Sequence, residues 1–199
     1  MKDNGLLTRW FEGQHEKEVL LKQRAHVLWM CGLSGAGKST LARCLDKALL
    51  EKGHLSQIID GDVIRNGLNK GLGFSEADRY ENLRRVAEVA KLFKDCGVIT
   101  IVSFISPTEK ARQLAREIVG AKDFSEIYIN ASLEVCEKRD TKGLYRQARQ
   151  GMISNFTGIG SPFEEPENPD LEIRTDQLSV TESTAILLEY TLPLIKHKN

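Results

Sequence analysis

A glycine-rich segment at residues 32–39 restricts the possible folds of this chain more than any other feature. It reads GLSGAGKS and matches the pattern G-x-x-x-x-G-K-[ST] at every fixed position. The apolar residues 25–30 before it suit a buried strand, and residues 39–52 after it have the apolar spacing of a helix. A strand, a glycine loop and a helix in this order predict a phosphate-binding loop, because the loop N–H groups and the positive end of the helix face the same anion.

Two polar residues end this glycine loop. Lys38 is expected to reach the β- and γ-phosphates of a nucleotide, and the Ser39 hydroxyl is expected to ligate Mg²⁺. A simple strand-helix turn with a solvated lysine is the alternative, but both flanking elements favour the nucleotide site. The motif alone does not separate a kinase from a GTPase or a motor. The other predicted nucleotide contacts in the loop are Gly32, Leu33, Ser34, Gly35, Ala36 and Gly37.

Strand-like and helix-like segments alternate along the rest of the chain. Short apolar or β-branched runs predict strands, and serine caps followed by apolar stripes predict helices. The alternation predicts a three-layer α/β fold of the P-loop NTPase type, with a parallel sheet covered by helices on both faces. The later strands are predicted at 56–59, 98–104, 126–129 and 171–173, and the later helices at 75–97, 109–119, 132–139 and 181–196.

The 199 residues are expected to form one folded domain with an arm and a lid. Residues 1–24 are mixed and charged, and they predict an arm, helical or irregular, packed on a P-loop domain at 25–199. Residues 140–169 are polar and rich in glycine and proline, so a mobile lid is predicted at about 139–165.

Charge and hydropathy argue against several classes of function. The chain has 28 basic and 28 acidic residues, so no global field would draw it to nucleic acid or to an anionic membrane. Its apolar runs are far shorter than the ~20 residues that span a bilayer, and its N-terminus lacks the pattern of a signal peptide. We expect a cytoplasmic protein without nucleic-acid or membrane partners. The four cysteines form no C-x-x-C pair and are expected to be buried free thiols.

A second group of polar residues begins at the end of the second predicted strand. Asp62 lies where ligands gather in parallel sheets, and it can act on an acceptor hydroxyl directly or through Mg²⁺. Alternatively, it caps the short helical run 63–65. Arg79 and Asn82 are three residues apart on one helix and, with Arg65, they form a candidate anion clamp. Each residue taken separately is more often a solvated surface group.

Three further positions have two possible interpretations each. Phe74 is either a platform for stacking a base or a hydrophobic staple at the start of a helix. Ser106 follows the central strand, where it either binds phosphate or substrate or simply ends the strand before a proline. Arg139 and Lys142 begin the polar segment and can bring positive charge over a transferring phosphoryl group, or they can form a solvated basic helix end.

Taken together, these segments resemble the adenylyl sulfate kinase family, whose members phosphorylate the ribose 3′-hydroxyl of adenylyl sulfate. The resemblance runs from about residue 27 to residue 169. The matching segments are GLSGAGKST at 32–40, DGDVIR at 60–65, GLN at 67–69, LGFS at 72–75, DRYEN at 78–82, SFISP at 103–107, VCEKRD at 135–140, KGLY at 142–145 and FTGI at 156–159.

The resemblance implies that ATP with Mg²⁺ phosphorylates adenylyl sulfate, and that the protein is a homodimer. It implies that Asp62 lies at the acceptor hydroxyl, where it also serves the metal, and that Phe74 and Phe156 enclose the adenine. It further implies a phosphoserine intermediate at Ser106, although direct in-line transfer needs none. The remaining implied substrate contacts are Arg65, Arg79, Asn82, Ile105, Lys142 and Asn155, and the remaining implied nucleotide contacts are Thr40 and Arg139.

Some positions depart from the family pattern. Residues 108–111 read TEKA where members have an aromatic residue and an arginine-rich helix start, and Asn130 and Gly160 stand where members have aspartates. Two other functions stay open at this point. Another small-molecule P-loop kinase, for a sugar acid or a nucleoside, would share the glycine loop, and a sugar acid would offer no base for the two rings. A non-catalytic nucleotide switch would need no acceptor site.

Overall fold

The computed structural model describes residues 5–197, with side chains described from residue 13 onward. At its centre is a five-stranded sheet in the order β2-β3-β1-β4-β5, in which all neighbouring strands run parallel. The predicted three-layer α/β fold is therefore confirmed. The strands are β1 (Val27–Cys31), β2 (Ser56–Asp60), β3 (Ile99–Ser103), β4 (Phe124–Asn130) and β5 (Leu171–Arg174).

Helices lie on both faces of this sheet. Every predicted helix is present with its ends moved by a few residues, and two of the predicted serine caps, Ser75 and Ser132, accept backbone N–H groups at 3.1 and 3.3 Å. Among residues 5–197, no helix is both long and apolar enough to cross a bilayer. The α-helices are α1 (Gly5–Leu21), α2 (Lys38–Glu51), α3 (Gly61–Asn66), α4 (Glu76–Asp95), α5 (Glu109–Val119), α6 (Leu133–Arg139), α7 (Leu144–Arg149) and α8 (Val180–Leu194).

The central strand β1 is buried on both sides. Leu28 and Met30 belong to the core cluster that includes residues of α2 and α8, whereas Trp29 belongs to the cluster that includes residues of α4 and α5. Burial on both faces is the reason that β1 reads as a continuous apolar run instead of an alternating one. Because β1 lies between β3 and β4, its carboxyl end is at the point where ligands bind in open parallel sheets.

The predicted arm is helical over much of its described part. It is attached to the sheet at the amino ends of the strands, whereas the glycine loop lies at the carboxyl end of β1. Gln23 is buried, accepts the Leu55 N–H at 2.8 Å, and donates to the carbonyl oxygens of Leu55 and Gly97 at 2.8 and 2.9 Å. Arg24 pairs with Asp123 at 2.6 Å. These contacts lie where β2, β3 and β4 begin, so they fix the arm away from the glycine loop. The first four residues of the predicted arm lie outside the described residues.

Candidate active site

The glycine loop joins β1 to α2, as the motif predicts. Gly32 and Gly37 have φ values of +142° and +102°, which other residues rarely adopt. A β-carbon on Gly32 would lie 2.3 Å from the Ile129 carbonyl oxygen, so only glycine fits against β4. Gly37 caps α2, and Thr40 is exposed in the first turn of this helix. The free N–H groups of the helix start therefore face the loop, as phosphate binding requires.

Lys38 is folded back over this loop. Its Nζ donates to the carbonyl oxygens of Gly32 and Leu33 at 2.8 and 2.7 Å, and the residue is only 8% exposed. The pKa of Lys38 is lowered from 10.5 to about 8, mainly by burial, with a smaller contribution from the charge of Lys142. A phosphate arriving at the loop would favour the charged form again, because opposite charge stabilises it.

Ser39 faces the carboxylate of Asp60, the last residue of β2. Its Oγ donates to Asp60 Oδ2 at 2.6 Å and lies 3.3 Å from the hydroxyl oxygen of Ser103. A carboxylate and hydroxyl oxygens are hard ligands of the kind that suit Mg²⁺. The sequence predicts Ser39 and Asp62 as metal ligands, whereas the carboxylate that lies beside Ser39 in the structure is that of Asp60. The register of β2 against β3, which sets Asp60 opposite Ser103, brings Asp60 to Ser39.

Asp62 lies in the first turn of α3, and its carboxylate is exposed. Its N–H donates to Asp60 Oδ1 at 3.0 Å, so Asp60 caps α3 and the Asp62 carboxylate is not the capping group. This carboxylate forms an ion pair with Lys142, in the turn between α6 and α7. Both side chains are more than half exposed. Since Asp60 accepts both the Asp62 N–H and the Ser39 hydroxyl, Asp62 lies beside the end of the glycine loop, and we call the space between them the cleft.

Phe74 is covered by two guanidinium groups. The Cζ atoms of Arg65 and Arg79 lie 4.3 and 5.9 Å from its ring centroid, within cation–π range. Arg65 is held by hydrogen bonds to the carbonyl oxygens of Leu72 and Gly73 at 3.3 and 3.1 Å. The ring is 58% exposed, so it is not a buried staple. Burial lowers the pKa of Arg65 and the charge of Arg79 lowers it further, so an anion between them would relieve their repulsion.

Arg79 also joins the start of α4 to the segment after α7. Its Nη1 donates to Thr157 Oγ1 at 2.6 Å and its Nη2 donates to the carbonyl oxygen of Asn155. Phe156, between these two residues, is 9% exposed and packs edge-on against Tyr145 with ring centroids 5.0 Å apart. The structure therefore brings the segment of the second predicted adenine ring to Arg79, but this ring is largely buried.

Asn82 lies one turn after Arg79 and is buried. Its Oδ1 accepts a hydrogen bond from Asn69 Nδ2 at 2.9 Å, which ties α4 to the turn after α3. Asn69 was missed as a site residue, although it falls in a segment that matches the family. Only its buried amide pairing with Asn82 marks Asn69, and this pairing cannot be read from the sequence because the two positions are 13 residues apart.

Ser106 lies in the turn after β3 and has a φ of +47°. Its hydroxyl accepts a hydrogen bond from Trp29 Nε1 at 2.9 Å, and the residue is 2% exposed. The preceding Ile105 carbonyl oxygen accepts the Gly32 N–H at 3.2 Å, so this turn is attached to the glycine loop. The Ser106 hydroxyl is thus part of the packing beneath the turn.

The glycine loop is held from its other side by residues of α6, α7 and the end of β5. Arg139 donates to the carbonyl oxygens of Gly35 at 3.1 Å and Thr175 at 2.6 Å. The Tyr145 hydroxyl donates to the Ser34 carbonyl oxygen at 2.9 Å. Tyr145 and Thr175 were missed, because nothing in their local sequence indicates a contact with residues more than 100 positions away. These bonds tie the start of the predicted lid to the loop.

Comparison with known proteins identifies the relatives of this chain. The family model described as adenylylsulphate kinase matches residues 24–174, well over half of the sequence. The chain belongs to the adenylyl-sulfate kinase family. An adenylyl-sulfate kinase of Phocaeicola vulgatus is 55% identical over 183 residues, covering 92% of this chain and 90% of that protein. One of Bacteroides thetaiotaomicron is 54% identical over 185 residues, covering 93% and 92%.

Solved structures agree with this membership. An APS kinase of Mycobacterium tuberculosis, solved in complex with AMPPNP and APS, has a TM-score of 0.82 and 46% identity, covering 84% of this chain and 98% of that one. A gluconokinase of Sinorhizobium meliloti shares only the fold, with a TM-score of 0.57 at 16% identity over 85% of this chain and 93% of that one.

The departures from the adenylyl-sulfate kinase pattern have structural partners of their own. Asn130 and Gly160 line one cavity of about 470 Å³ beside Leu33. The Asn130 amide donates to Glu172 Oε1 at 2.7 Å. Thr108 caps α5 by accepting a backbone N–H at 3.4 Å. Among the described residues, none of these positions forms a hydrogen bond or an ion pair with Asp62.

Proposed function

We propose that this chain is an adenylyl-sulfate kinase, which transfers the terminal phosphoryl group of ATP to the ribose 3′-hydroxyl of adenylyl sulfate and releases ADP and 3′-phosphoadenylyl sulfate. The observation that carries the proposal is the pairing of Asp62 with Lys142 in the cleft at the end of the glycine loop, where Asp60 accepts both the Asp62 N–H and the Ser39 hydroxyl. This cleft holds a phosphate loop, a carboxylate for the acceptor and cations for the acceptor's charge. Relatives of that name, more than half identical over most of the chain, support the same activity.

In this proposal the glycine loop and the start of α2 bind the phosphates of ATP. The cationic form of Lys38 acts on the β- and γ-phosphates, and Arg139 adds positive charge beside Gly35. Ser39 and Asp60 fit Mg²⁺, since their oxygens are adjacent and hard. When bound, this ion neutralises the negative charge of the phosphoryl group in transfer.

The carboxylate of Asp62 acts on the acceptor. As the 3′-hydroxyl oxygen forms its bond to phosphorus and the bond to the ADP oxygen breaks, Asp62 accepts the hydroxyl proton. Lys142 must leave Asp62 for this to happen. Because both partners are exposed, their pairing contributes little, about 0–1 kcal/mol, and an anionic substrate can take Lys142 away at small cost.

The arginines and the exposed ring bind the rest of adenylyl sulfate. Arg65 and Arg79 repel each other beside Phe74, and a phosphosulfate group between them would neutralise both. The ring of Phe74 offers a face for the adenine. The other residues that we assign to acceptor binding are Asn82, Ile105, Asn155 and Phe156, with Asn82 and Phe156 largely buried.

In this proposal Ser106 has a structural role and not the role of a phosphoserine intermediate. Its hydroxyl is buried and accepts the Trp29 indole N–H. We therefore assign it to holding the turn after β3, with direct transfer from ATP to the acceptor and no phosphoserine intermediate.

A coupled ADP-release assay tests the proposal. Purified protein with Mg-ATP is given adenylyl sulfate, AMP, gluconate or adenosine in separate reactions. Rapid ADP release with adenylyl sulfate alone is the expected result, because AMP and adenosine lack the sulfate and gluconate lacks the base. Preference for gluconate or adenosine would replace the proposal with another small-molecule kinase, and no turnover with any acceptor would favour a nucleotide switch.

The homodimer, the cytoplasmic location and the mobility of residues 139–165 remain predictions. Sedimentation velocity of the purified chain tests the first of these directly. Limited proteolysis with and without nucleotide tests the lid, since a segment that closes over ATP should be protected from cleavage when ATP is present.

A further inference from the structure

A buried arginine lies directly beneath the turn that follows β3. Arg112, on α5, has no exposed side-chain surface and makes three polar contacts. Its Nε lies 2.7 Å from Glu126 Oε1, its Nη1 donates to the Ser106 carbonyl oxygen at 3.0 Å, and its Nη2 donates to Glu109 Oε2 at 2.7 Å. One guanidinium group therefore connects α5, β4 and the turn after β3.

Burying the Arg112–Glu126 ion pair costs desolvation free energy. Removing two charges from water is offset only by close pairing and full hydrogen bonding. Glu126 is itself nearly buried, at 6% exposure, and burial raises its pKa while the charge of Arg112 opposes the rise. An apolar pair could fill the same space, but it could not donate a hydrogen bond to the Ser106 carbonyl oxygen. This contact therefore explains why a charged side chain is present.

The turn that Arg112 contacts has a conformation that its own sequence does not favour. Ser106 has a φ of +47°, in the left-handed region that serine rarely adopts, so its surroundings must hold it there. Trp29 contacts its hydroxyl and Arg112 its carbonyl oxygen. The result is that the Ile105 carbonyl oxygen meets the Gly32 N–H at 3.2 Å, which sets the distance between this turn and the glycine loop.

We infer that Arg112 is a positioning residue for the acceptor half of the site, which holds the Ile105–Ser106 turn against Gly32 from below. It touches neither substrate: its three partners are protein groups and its side chain is fully buried. This inference rests on the proposed function, in which Ile105 contacts adenylyl sulfate. Apart from Gly32, the predicted nucleotide contacts of the loop lie at residues 33–40, and none of them forms a described hydrogen bond with Ile105 or Ser106.

Steady-state kinetics of Arg112→Lys, with each substrate varied in turn, tests the inference. Lysine keeps the charge but cannot contact Glu126, Glu109 and the Ser106 carbonyl oxygen together. We expect the KM for adenylyl sulfate to rise about tenfold or more while the KM for ATP stays within about twofold. The control is Arg84→Lys, a partly exposed arginine of α4 that pairs with Glu81 at 2.7 Å, which should change neither constant.

A second variant covers the case in which Arg112→Lys does not fold. Glu126→Gln keeps the shape of the side chain but removes the charge that orients Arg112, and it should raise the KM for adenylyl sulfate in the same direction by a smaller factor. Equal increases in both KM values, or no change in either in a folded variant, would overturn the inference. An inactive wild-type protein in the ADP-release assay would instead refute the proposed function, so the two failures are distinguishable.

Discussion

Lys142 forms an ion pair with Asp62 across the cleft, joining the turn before α7 to the first turn of α3. The two residues are 80 positions apart in sequence. Each is assigned to the same substrate, Lys142 to its negative charge and Asp62 to its hydroxyl. While no acceptor is bound, each of the two charges is neutralised by the other.

Asp62→Asn should lower kcat by about 10²–10⁴-fold, because the amide cannot accept the hydroxyl proton. Isothermal titration with ATP should show nearly unchanged affinity, since Asp62 makes no contact with the glycine loop. Glu76→Gln, an exposed acid in the first turn of α4, serves as the control and should behave as wild type. Near-normal turnover of Asp62→Asn would remove Asp62 from its assigned role.

Asp60→Asn should shift the Mg²⁺ dependence of turnover to higher concentrations. Asp60 lies 2.6 Å from the Ser39 hydroxyl, and loss of its negative charge weakens a site built from hard oxygen ligands. The measurement is initial rate against free Mg²⁺ at fixed ATP and adenylyl sulfate. If the Mg²⁺ profile of Asp60→Asn coincides with that of Asp62→Asn and the wild type, Asp60 does not serve the metal.

The affinity for ATP should fall as pH rises above about 8. Burial lowers the pKa of Lys38 to about 8 in the free protein, so above that pH the side chain is neutral until phosphate binds and raises its pKa again. Binding then takes up a proton, which costs up to about tenfold in affinity per pH unit. Calorimetry at pH 9 in two buffers of different ionisation enthalpy should detect this uptake, and pH 7 is the control. Absence of proton uptake at pH 9 would contradict the lowered pKa.

Ser106→Ala should keep catalytic activity within about tenfold of wild type while lowering thermal stability. Its hydroxyl accepts the Trp29 indole N–H, and leaving that buried donor without a partner costs about 1–3 kcal/mol. Thermal unfolding and kcat are measured on the same preparation. A phosphoserine intermediate predicts the opposite pattern, with loss of activity by several orders of magnitude and little change in stability.

Arg79→Ala should raise the KM for adenylyl sulfate and leave the KM for ATP nearly unchanged. Arg79 lies beside the Phe74 ring and holds residues 155 and 157, so its loss removes charge and loosens the segment around Phe156. Steady-state kinetics with both substrates varied checks this split. Arg84→Ala, on the exposed side of the same helix, is the control, because Arg84 pairs only with acids of its own helix among the contacts that the structure describes.

Much of the site followed from local patterns in the sequence. The glycine loop, Lys38 and Ser39 were predictable because the motif, a strand before it and a helix after it require one backbone path. The strand and helix positions followed from apolar spacing and serine caps for the same reason. The family resemblance added the acceptor residues, and the structure brings Arg65, Phe74 and Arg79 together as expected.

Three side-chain placements did not follow from the sequence. Asp60 and Asp62 flank one glycine, and the sequence alone did not show that Asp60 is the one beside Ser39, because the pairing of β2 with β3 decides it. Ser106 looked available at a strand end, but its hydroxyl is buried against Trp29. Phe156, the second ring expected at the adenine, packs edge-on against Tyr145, a contact that the sequence does not indicate.

By itself, the sequence determined the order of strands and helices along the chain, the path of the glycine loop and the set of residues available for chemistry. Only the tertiary structure decided which of these residues meet: Asp60 with Ser39, Lys142 with Asp62, and Arg112 with the turn at Ser106. The physical reason is distance along the chain. Backbone conformation is set by near neighbours, whereas side-chain partners are set by strand register and helix packing between segments that are remote in sequence.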